Sequence, residues 1–312
     1  MAEHGAAAAL TLTIAAVERD TGLSKDTLRV WERRYGFPRP ARDGGGERVY
    51  PIDQVEKLRT VKRLLDAGHR PGRIVALSAD HLQQLCASTI DHPAAATRGG
   101  AVRDDLQPLL ELARSHDVPG LRRHLAQSLA RCGLARFVVD AAAPLMTLVG
   151  EAWLRGQLDV HEEHMVTESV QLLLRHALAS LPESTPDARP RVLLTTLPGE
   201  PHGLGLLMAE ALLAVDGATC ISLGVQTPLW DVVLASRAYR ADVVALGFSG
   251  SVNPNHVVDA LAELRAKLPG EVALWAGGSA PVLRRRAVDG VLPLPTLEAM
   301  QQALQRWRDT LR

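Results

Sequence analysis

The sequence predicts a multidomain chain of α and α/β class: a helical head carrying a β-hairpin, a four-helix bundle, and a doubly wound parallel sheet. Three observations predict it. Over residues 11 to about 77, short amphipathic stretches are separated by glycine and proline breaks. Over residues 105–181, apolar side chains recur at helical spacing, with breaks near Asp117, Gly133 and residues 156–159. From residue 191 the period shortens. Residues 191–197, 220–223, 242–248 and 271–276 are short apolar runs, each followed by an amphipathic helical stretch, as strands buried on both faces of a parallel sheet require. A chain of 312 residues can bury the cores of two or three such domains.

Each element has a local reason. Residues 13–21 form the first helix, ended by Gly22, because a glycine accepts the left-handed conformation at a helix end. Ser24 is a good N-cap for a second helix reaching Arg34, with Thr27 three residues on. Gly36-Phe37-Pro38-Arg39-Pro40 cannot remain helical, and Asp43-Gly44-Gly45-Gly46 reads as a hairpin tip. Pro51 suits the first turn of a longer helix, residues 52–67, closed by Gly68. Helix, turn, helix and hairpin wing make residues 11–78 a winged helix-turn-helix head. Residues 1–10 read as a disordered extension, 79–104 as a linker, 105–182 as the four-helix bundle, 183–190 as a second linker, and 191–312 as a Rossmann-like sheet domain. Ligands of such sheets bind outside the carboxyl ends of the strands.

Formal net charge is zero, from 35 basic and 35 acidic side chains, so nothing global marks a polyanion partner. The distribution does. Residues 21–75 hold 13 Lys and Arg against 7 Asp and Glu, whereas residues 151–187 hold two Arg against seven acids. A basic head and an acidic middle mean that one end meets a polyanion. Cys86, Cys132 and Cys220 are dispersed with no C-x-x-C spacing, which fits a reducing, cytoplasmic setting without disulfides. The apolar opening at residues 6–17 lacks the preceding Lys or Arg of a signal peptide. No uninterrupted apolar run reaches bilayer length, so no membrane partner is expected.

In the second helix, Leu28, Trp31 and Tyr35 form one inward stripe, while Lys25, Thr27, Arg29, Arg33 and Arg34 lie mostly off it. Arg39, Arg42 and Arg48 on the wing are placed to meet phosphates, and Tyr50 either anchors the wing or donates to a phosphate. The segments Leu12-Thr13-Ile14-Ala15-Ala16-Val17, Thr27-Leu28-Arg29-Val30-Trp31-Glu32-Arg33-Arg34-Tyr35-Gly36, Pro40-x-Arg42 and Arg48-x-Tyr50 closely resemble the MerR family of winged-helix transcriptional regulators. The Trp31-Glu32-Arg33-Arg34-Tyr35-Gly36 version resembles its light-responsive, cobalamin-linked branch. The resemblance implies double-stranded operator DNA as a partner, with Arg29 and Arg33 the first candidates for reading bases. The long dimerising helix that ends many such proteins is not seen, so assembly into a homo-oligomer is expected to come from the sensor half.

Directly after the first long strand stands Gly199-Glu200-Pro201-His202-Gly203-Leu204-Gly205. A His on such a loop can aim a ring nitrogen into the ligand crevice, and a carboxylate two residues away can hold the other ring N–H. Gly203 and Gly205 leave room for a large planar ligand. The pattern Glu200-x-His202-x-x-Gly205 resembles the D-x-H-x-x-G signature of cobalamin-binding domains, with Glu in place of Asp. That resemblance implies His202 as lower axial cobalt ligand in place of the cofactor's own benzimidazole, Glu200 as its hydrogen-bond partner, and Gly205 as a close-approach glycine. It also implies Ser249, Gly277 and Gly278 along a channel for the displaced tail, where Ser251 replaces the family's Leu.

Trp153, followed after nine residues by Glu163-His164, resembles the helical cap of light-sensing MerR-type regulators that use adenosylcobalamin. By that resemblance Trp153 covers the upper cobalt face while Glu163 and His164 approach the adenosyl group. In those relatives a His directly after the Trp takes the cobalt once light has acted. Here Leu154 stands there, so the usual bis-histidine product is not expected. His161, His164 and Glu168 share a helical metal-site spacing, but a separate zinc or iron site is not part of this reading. The expected function is a transcriptional repressor controlled by adenosylcobalamin and light. The alternative, motivated by Leu154, is a regulator whose sensor reads methylcobalamin, another tetrapyrrole or a protein antirepressor. No Ser-His-Asp set, P-loop or acid–base pair is visible, and the head argues against a corrinoid methyl carrier or mutase subunit, so no enzyme is expected.

Overall fold

The computed structural model describes residues 10–66, 68–90, 99–182, 185 and 188–310. They fall into two compact units, one within residues 1–92 with 154–157, the other within residues 93–153 with 158–312. The extension at residues 1–9, the loosest part of the first linker at 91–98, and residues 183–184 and 186–187 of the second lie outside the described residues.

The first unit runs β1 (Thr11–Thr13), α1 (Ile14–Thr21), α2 (Lys25–Tyr35), β2 (Ala41–Arg42), β3 (Arg48–Pro51), α3 (Ile52–Asp66), α4 (Pro71–Ile74) and α5 (Ala79–Ile90). The start and stop signals act where the sequence put them. The Thr13 and Ser24 hydroxyls accept from Ala16 and Thr27 N–H, and Gly22 and Gly36 close α1 and α2 at φ 69° and 67°. The Asp43 carboxylate accepts from the N–H groups of Gly45 and Glu47, which fixes the wing tip between β2 and β3. Val17, Leu28, Trp31, Val55, Leu58 and Val61 lead the buried core.

Four details differ from the sequence reading. Thr11–Thr13 is a strand, pairing antiparallel with β3 so that Leu12 faces Tyr50, in a sheet of order β1-β3-β2. The Leu10 carbonyl, at the end of the expected disordered extension, accepts from Ile52 N–H at 3.0 Å. Pro51 ends β3 and does not open the helix. The linker at 79–104 is largely helix: α5 occupies its first half, and the next helix begins at Gly99. Leu82 and Cys86, one helical turn apart, bury against the head's core, while the polar Gln83 and Gln84 between them masked that stripe.

The second unit opens with the bundle: α6 (Gly99–Arg114), α7 (Val118–Cys132), α8 (Leu134–Phe137), a π-helical turn (Val138–Ala142), α9 (Ala143–Leu154) and α10 (Val160–Ala179). Asp117 caps α7 through Gly120 N–H, and Gly133, at φ 76°, turns the chain into α8. Residues 134–154 form one continuous helical stretch, so four helices cross the bundle, as the spacing implied. By length and composition this stretch is apolar enough to cross a membrane, although Arg136 and Asp140 interrupt its apolar run. Its Leu145 and Val149 are instead fully buried in the bundle core. Asp159 and Glu162 form a reciprocal capping box at the start of α10.

The sheet follows: β4 (Arg191–Thr195), α11 (Leu204–Val215), β5 (Thr219–Ser222), α12 (Leu229–Ala238), β6 (Val243–Gly247), α13 (Pro254–Lys267), β7 (Ala273–Gly277), α14 (Val282–Arg285), β8 (Val291–Leu294) and α15 (Leu297–Asp309). All pairings are parallel, in the order β5-β4-β6-β7-β8. The strand β8 was not foreseen. It carries Pro293, which an edge strand tolerates because the missing N–H can face outward. Alternate residues bury on opposite faces: Val192, Leu194, Val243 and Trp275 join a core shared with the bundle, while Leu193, Val244 and Leu274 join a core with α12 and α13. The bundle reaches the sheet through α11, on which α10 and α8 pack. Strand order reverses beside β4, so the ligand crevice belongs at the carboxyl ends of β4 and β6.

Candidate functional site

In the head, α2 turns Leu28 and Trp31 inward, both buried, with Tyr35 half-buried at the end of the same stripe. Arg29, Arg33 and Arg34 are exposed, as are Arg39 and Arg42 on the wing. Lys25 and Thr27 are half-buried at the start of α2, where Lys25 pairs with Glu18 at 3.6 Å and the Thr27 and Ser24 hydroxyls share a 2.8 Å hydrogen bond. Arg29 pairs with Asp26 at 3.2 Å, and the Arg34 guanidinium lies 5.4 Å from the centre of the Tyr35 ring. Gln54 grips Arg39 by its backbone N–H and carbonyl, and Arg42 donates to the Gly46 carbonyl across the tip.

Two wing residues depart from the expected roles. The Arg48 Nε donates to Glu32 Oε2 at 3.0 Å, and this hydrogen bond and the Glu32 charge raise its pKa. Arg48 therefore ties the wing to α2 before it can serve a phosphate, and Glu32 is a functional residue the sequence reading passed over. Tyr50 is fully buried, with no hydrogen-bond partner for its hydroxyl among the described residues. Burial, then the Glu32 charge, pushes its phenol pKa up. Of the two roles offered for Tyr50, anchoring fits this placement and donation to a phosphate does not. The exposed basic side chains lie on α2 and the wing tip, where arginines would supply the sequence-independent part of polyanion binding.

In the sheet unit, the loop after β4 is braced from two sides. The Thr196 hydroxyl donates to the Glu200 carbonyl at 2.6 Å and accepts from Gln226 N–H at 2.8 Å. This brace from the β5–α12 loop was not visible in the sequence. It sets Glu200, 1 % exposed, beneath His202, whose ring is mostly exposed. Glu200 Oε1 accepts from the His202 backbone N–H at 3.0 Å and faces His202 Nδ1 at 2.6 Å, while Oε2 accepts from Ser249 N–H. A carboxylate only accepts, so Nδ1 carries the proton. Burial pushes the Glu200 carboxyl up, but the hydrogen bonds from the His202 ring, from Ser249 and from the His202 backbone prevail and hold it below its ordinary value. The pair thus presents an oriented imidazole at the switch point of the sheet.

The surroundings suit a large ligand. A Cβ on Gly205 would meet nothing within 4 Å, so space is open beside the first turn of α11. A cleft of about 330 Å³ lies between Leu197, Pro198, Leu229, Phe248, Val252 and His256. Ser249 joins the site through its backbone, and its hydroxyl bonds to Ser251 at 2.7 Å. Gly277 ends β7 opposite Gly247 and accepts from Phe248 N–H. Gly278, at φ 109°, is required by its own backbone, since a Cβ there would sit 2.2 Å from the Phe248 carbonyl oxygen. Trp153 is half-buried at the end of α9. On α10, Glu163 accepts from the Thr167 hydroxyl at 2.7 Å and lies 3.5 Å from the exposed His164. The bundle and the His202 loop belong to one unit, joined by α11, which starts two residues after His202.

Comparison with known proteins agrees with both halves. Residues 12–80 match the model of the MerR HTH family regulatory protein, and residues 106–178 match that of the B12 binding domain. The second match covers the bundle and stops short of the sheet that carries His202. The HTH-type transcriptional repressor CarH of Myxococcus xanthus is 32% identical over 260 residues, 83% of this chain and 86% of its own. The repressor CarA of the same organism is 31% identical over 287 residues, 86% of this chain and 88% of its own. Among solved structures, the Methanosarcina barkeri monomethylamine corrinoid protein superposes on 64% of this chain and 96% of its own, with 17% sequence identity and a TM-score of 0.49. From the exposed arginines of its head, its B12-binding bundle and its likeness to two repressors over most of their length, the chain belongs to the CarH and CarA group of MerR-type transcriptional regulators, proteins that bind DNA and are not enzymes.

Proposed function

We propose that this cytoplasmic regulator represses its operator under the control of adenosylcobalamin and light. The Glu200–His202 pair carries the reading: an ionised, buried carboxylate grips Nδ1 of an exposed imidazole at the mouth of a parallel sheet. With Nδ1 held, Nε2 is the nitrogen offered to cobalt, and the open space beside Gly205 fits a corrin ring. Ser249, Gly277 and Gly278 border the path of the displaced tail, and the cleft beside Phe248 extends it. Trp153, Glu163 and His164 face the adenosyl side. When bound, adenosylcobalamin supplies a cobalt–carbon bond that light cleaves. His202 and Glu200 would hold the cofactor from the sheet side, and Trp153, Glu163 and His164 would respond to the state of its upper group. A homo-oligomer presents several heads, and linked heads bind more tightly because the second contact is intramolecular.

The test is a gel shift with operator DNA and adenosylcobalamin, in the dark and after green light, with absorption spectra of the same samples. Dark-only retardation is expected, and equal retardation in both conditions overturns the light response. Leu154 favours a second reading, a sensor that holds methylcobalamin or another ligand without photochemistry, because a leucine offers cobalt no second imidazole. Equal binding in dark and light, together with a spectral change on adding methylcobalamin, would select it.

A further inference from the structure

We infer that the bundle carries a divalent transition-metal site of its own, built from His116, His161 and Glu162. Their ligand atoms lie within 4.8 Å of one another, although His116 is 45 residues away from His161 in the chain. The two Nε2 atoms are 3.3 Å apart, and His116 Nε2 is 3.5 Å from Glu162 Oε1. At that distance the two rings can share a hydrogen bond, and the same spacing suits a shared metal ion. Two nitrogens each about 2.0–2.1 Å from one tetrahedral zinc must lie about 3.3–3.4 Å apart. The ring planes are nearly parallel, 14° apart, with centroids 5.4 Å apart.

The carboxylate is prepared in the same sense. Glu162 is 8 % exposed, and its Oε2 accepts from Asp159 N–H at 2.7 Å in the capping box of α10, which leaves Oε1 toward His116. A ligand carboxylate held by a backbone donor is an arrangement that metal sites use repeatedly. His116 sits at φ 57° in the turn between α6 and α7, a left-handed conformation uncommon for a residue with a side chain. That conformation brings its ring back over the start of α10. Two imidazoles and one carboxylate select zinc or a neighbouring borderline ion over calcium or magnesium, and three protein ligands leave a fourth position for water. The ion would pin the α6–α7 turn to the first turn of α10, one residue before Glu163.

The sequence reading considered His161 with His164 and Glu168. The structure replaces two of those three. His164 pairs with Glu163, and the partners of His161 are Glu162 beside it and a histidine from another turn.

The experiment uses the full chain, stripped by chelator and kept free of corrinoid, titrated with zinc against a chromophoric competitor. One zinc per chain is expected. His116→Asn, which keeps a residue tolerant of the left-handed backbone, and His161→Gln should each weaken binding by about 10-fold or more. His202→Ala should leave it unchanged, since the site is separate from the His202 loop. Zinc should raise the melting temperature of the wild type and of His202→Ala more than that of His116→Asn or His161→Gln. Failure to retain zinc against the competitor, or equal retention by wild type, His116→Asn and His161→Gln, overturns the site.

Discussion

Replacing Glu200 with Gln preserves size and shape while removing the charge that organises the His202 loop, the proposed corrinoid site. In the wild type three donors converge on the two carboxylate oxygens: the His202 N–H, its Nδ1–H and the Ser249 N–H. A Gln has one acceptor oxygen, so its NH2 group must face at least one of these donors. With the group buried, one unmatched donor costs about 1–3 kcal/mol. The bond to the imidazole also becomes neutral, losing roughly half its strength. Loss of such a partner behind a metal-binding histidine weakens metal affinity about 10–100-fold. Titrating adenosylcobalamin into both proteins in darkness, and following the spectral change as an imidazole displaces benzimidazole, measures this directly. An unchanged affinity for Glu200→Gln would refute the reasoning, because the carboxylate would then have no hold on the ring proposed to bind cobalt.

The same residue makes a pH prediction. The folded-state pKa of Glu200 lies below its ordinary value of 4.5, so the stability it contributes is present above that value and is lost as pH falls through the folded pKa. Melts from neutral to strongly acidic solution should show the wild type losing more stability than Glu200→Gln. Tyr50→Phe removes a buried hydroxyl that has no partner among the described residues, so the melting temperature should hold or rise and operator affinity should stay unchanged. A drop in DNA affinity would return Tyr50 to the phosphates. Leu82→Ala should destabilise the head by about 2–5 kcal/mol in chemical denaturation if α5 belongs to its core. A near-neutral result would restore residues 79–90 to the linker. Arg33→Ala should lower operator affinity. A phosphate contact would reduce the salt slope by about 1, a base contact would relax discrimination by about 1–3 kcal/mol, and no change in either excludes Arg33 from the interface.

What the sequence revealed depended on how local the cause was. Ser24, Gly22, Gly36 and Asp43 act within four residues of themselves, and the structure shows each acting where the sequence placed it. The four apolar strands were legible because burial on both faces leaves a continuous run. Thr11–Thr13 was not: three residues carry no measurable alternation, and only β3 makes them a strand. Pro293 concealed β8 because the sequence cannot say which strand lies at an edge. At the ligand loop, Glu200 and His202 are two residues apart and could be paired on paper. The brace of Gln226 on Thr196 and the Ser249 backbone donor to Glu200 span 30 and 49 positions, and only the parallel order brings those loops together. Arg48 was legible as a basic wing residue, but its ion pair with Glu32 is tertiary.

The helix α11 has a single charged residue, Glu210, and Leu207, Met208, Ala211, Leu212 and Leu213 are all buried. It begins two residues beyond His202 and is gripped by α8 and α10 on one flank and by strands β4, β5 and β6 on the other. Interiors packed to crystal density switch between discrete arrangements and do not stretch. A pull on the imidazole therefore cannot be absorbed at the loop: it must either leave α11 seated or carry the whole rod, bundle included, to another seat. Such a lever answers its ligand with a step, and intermediate occupancy of the site translates into a mixture of two shapes and not into one graded shape.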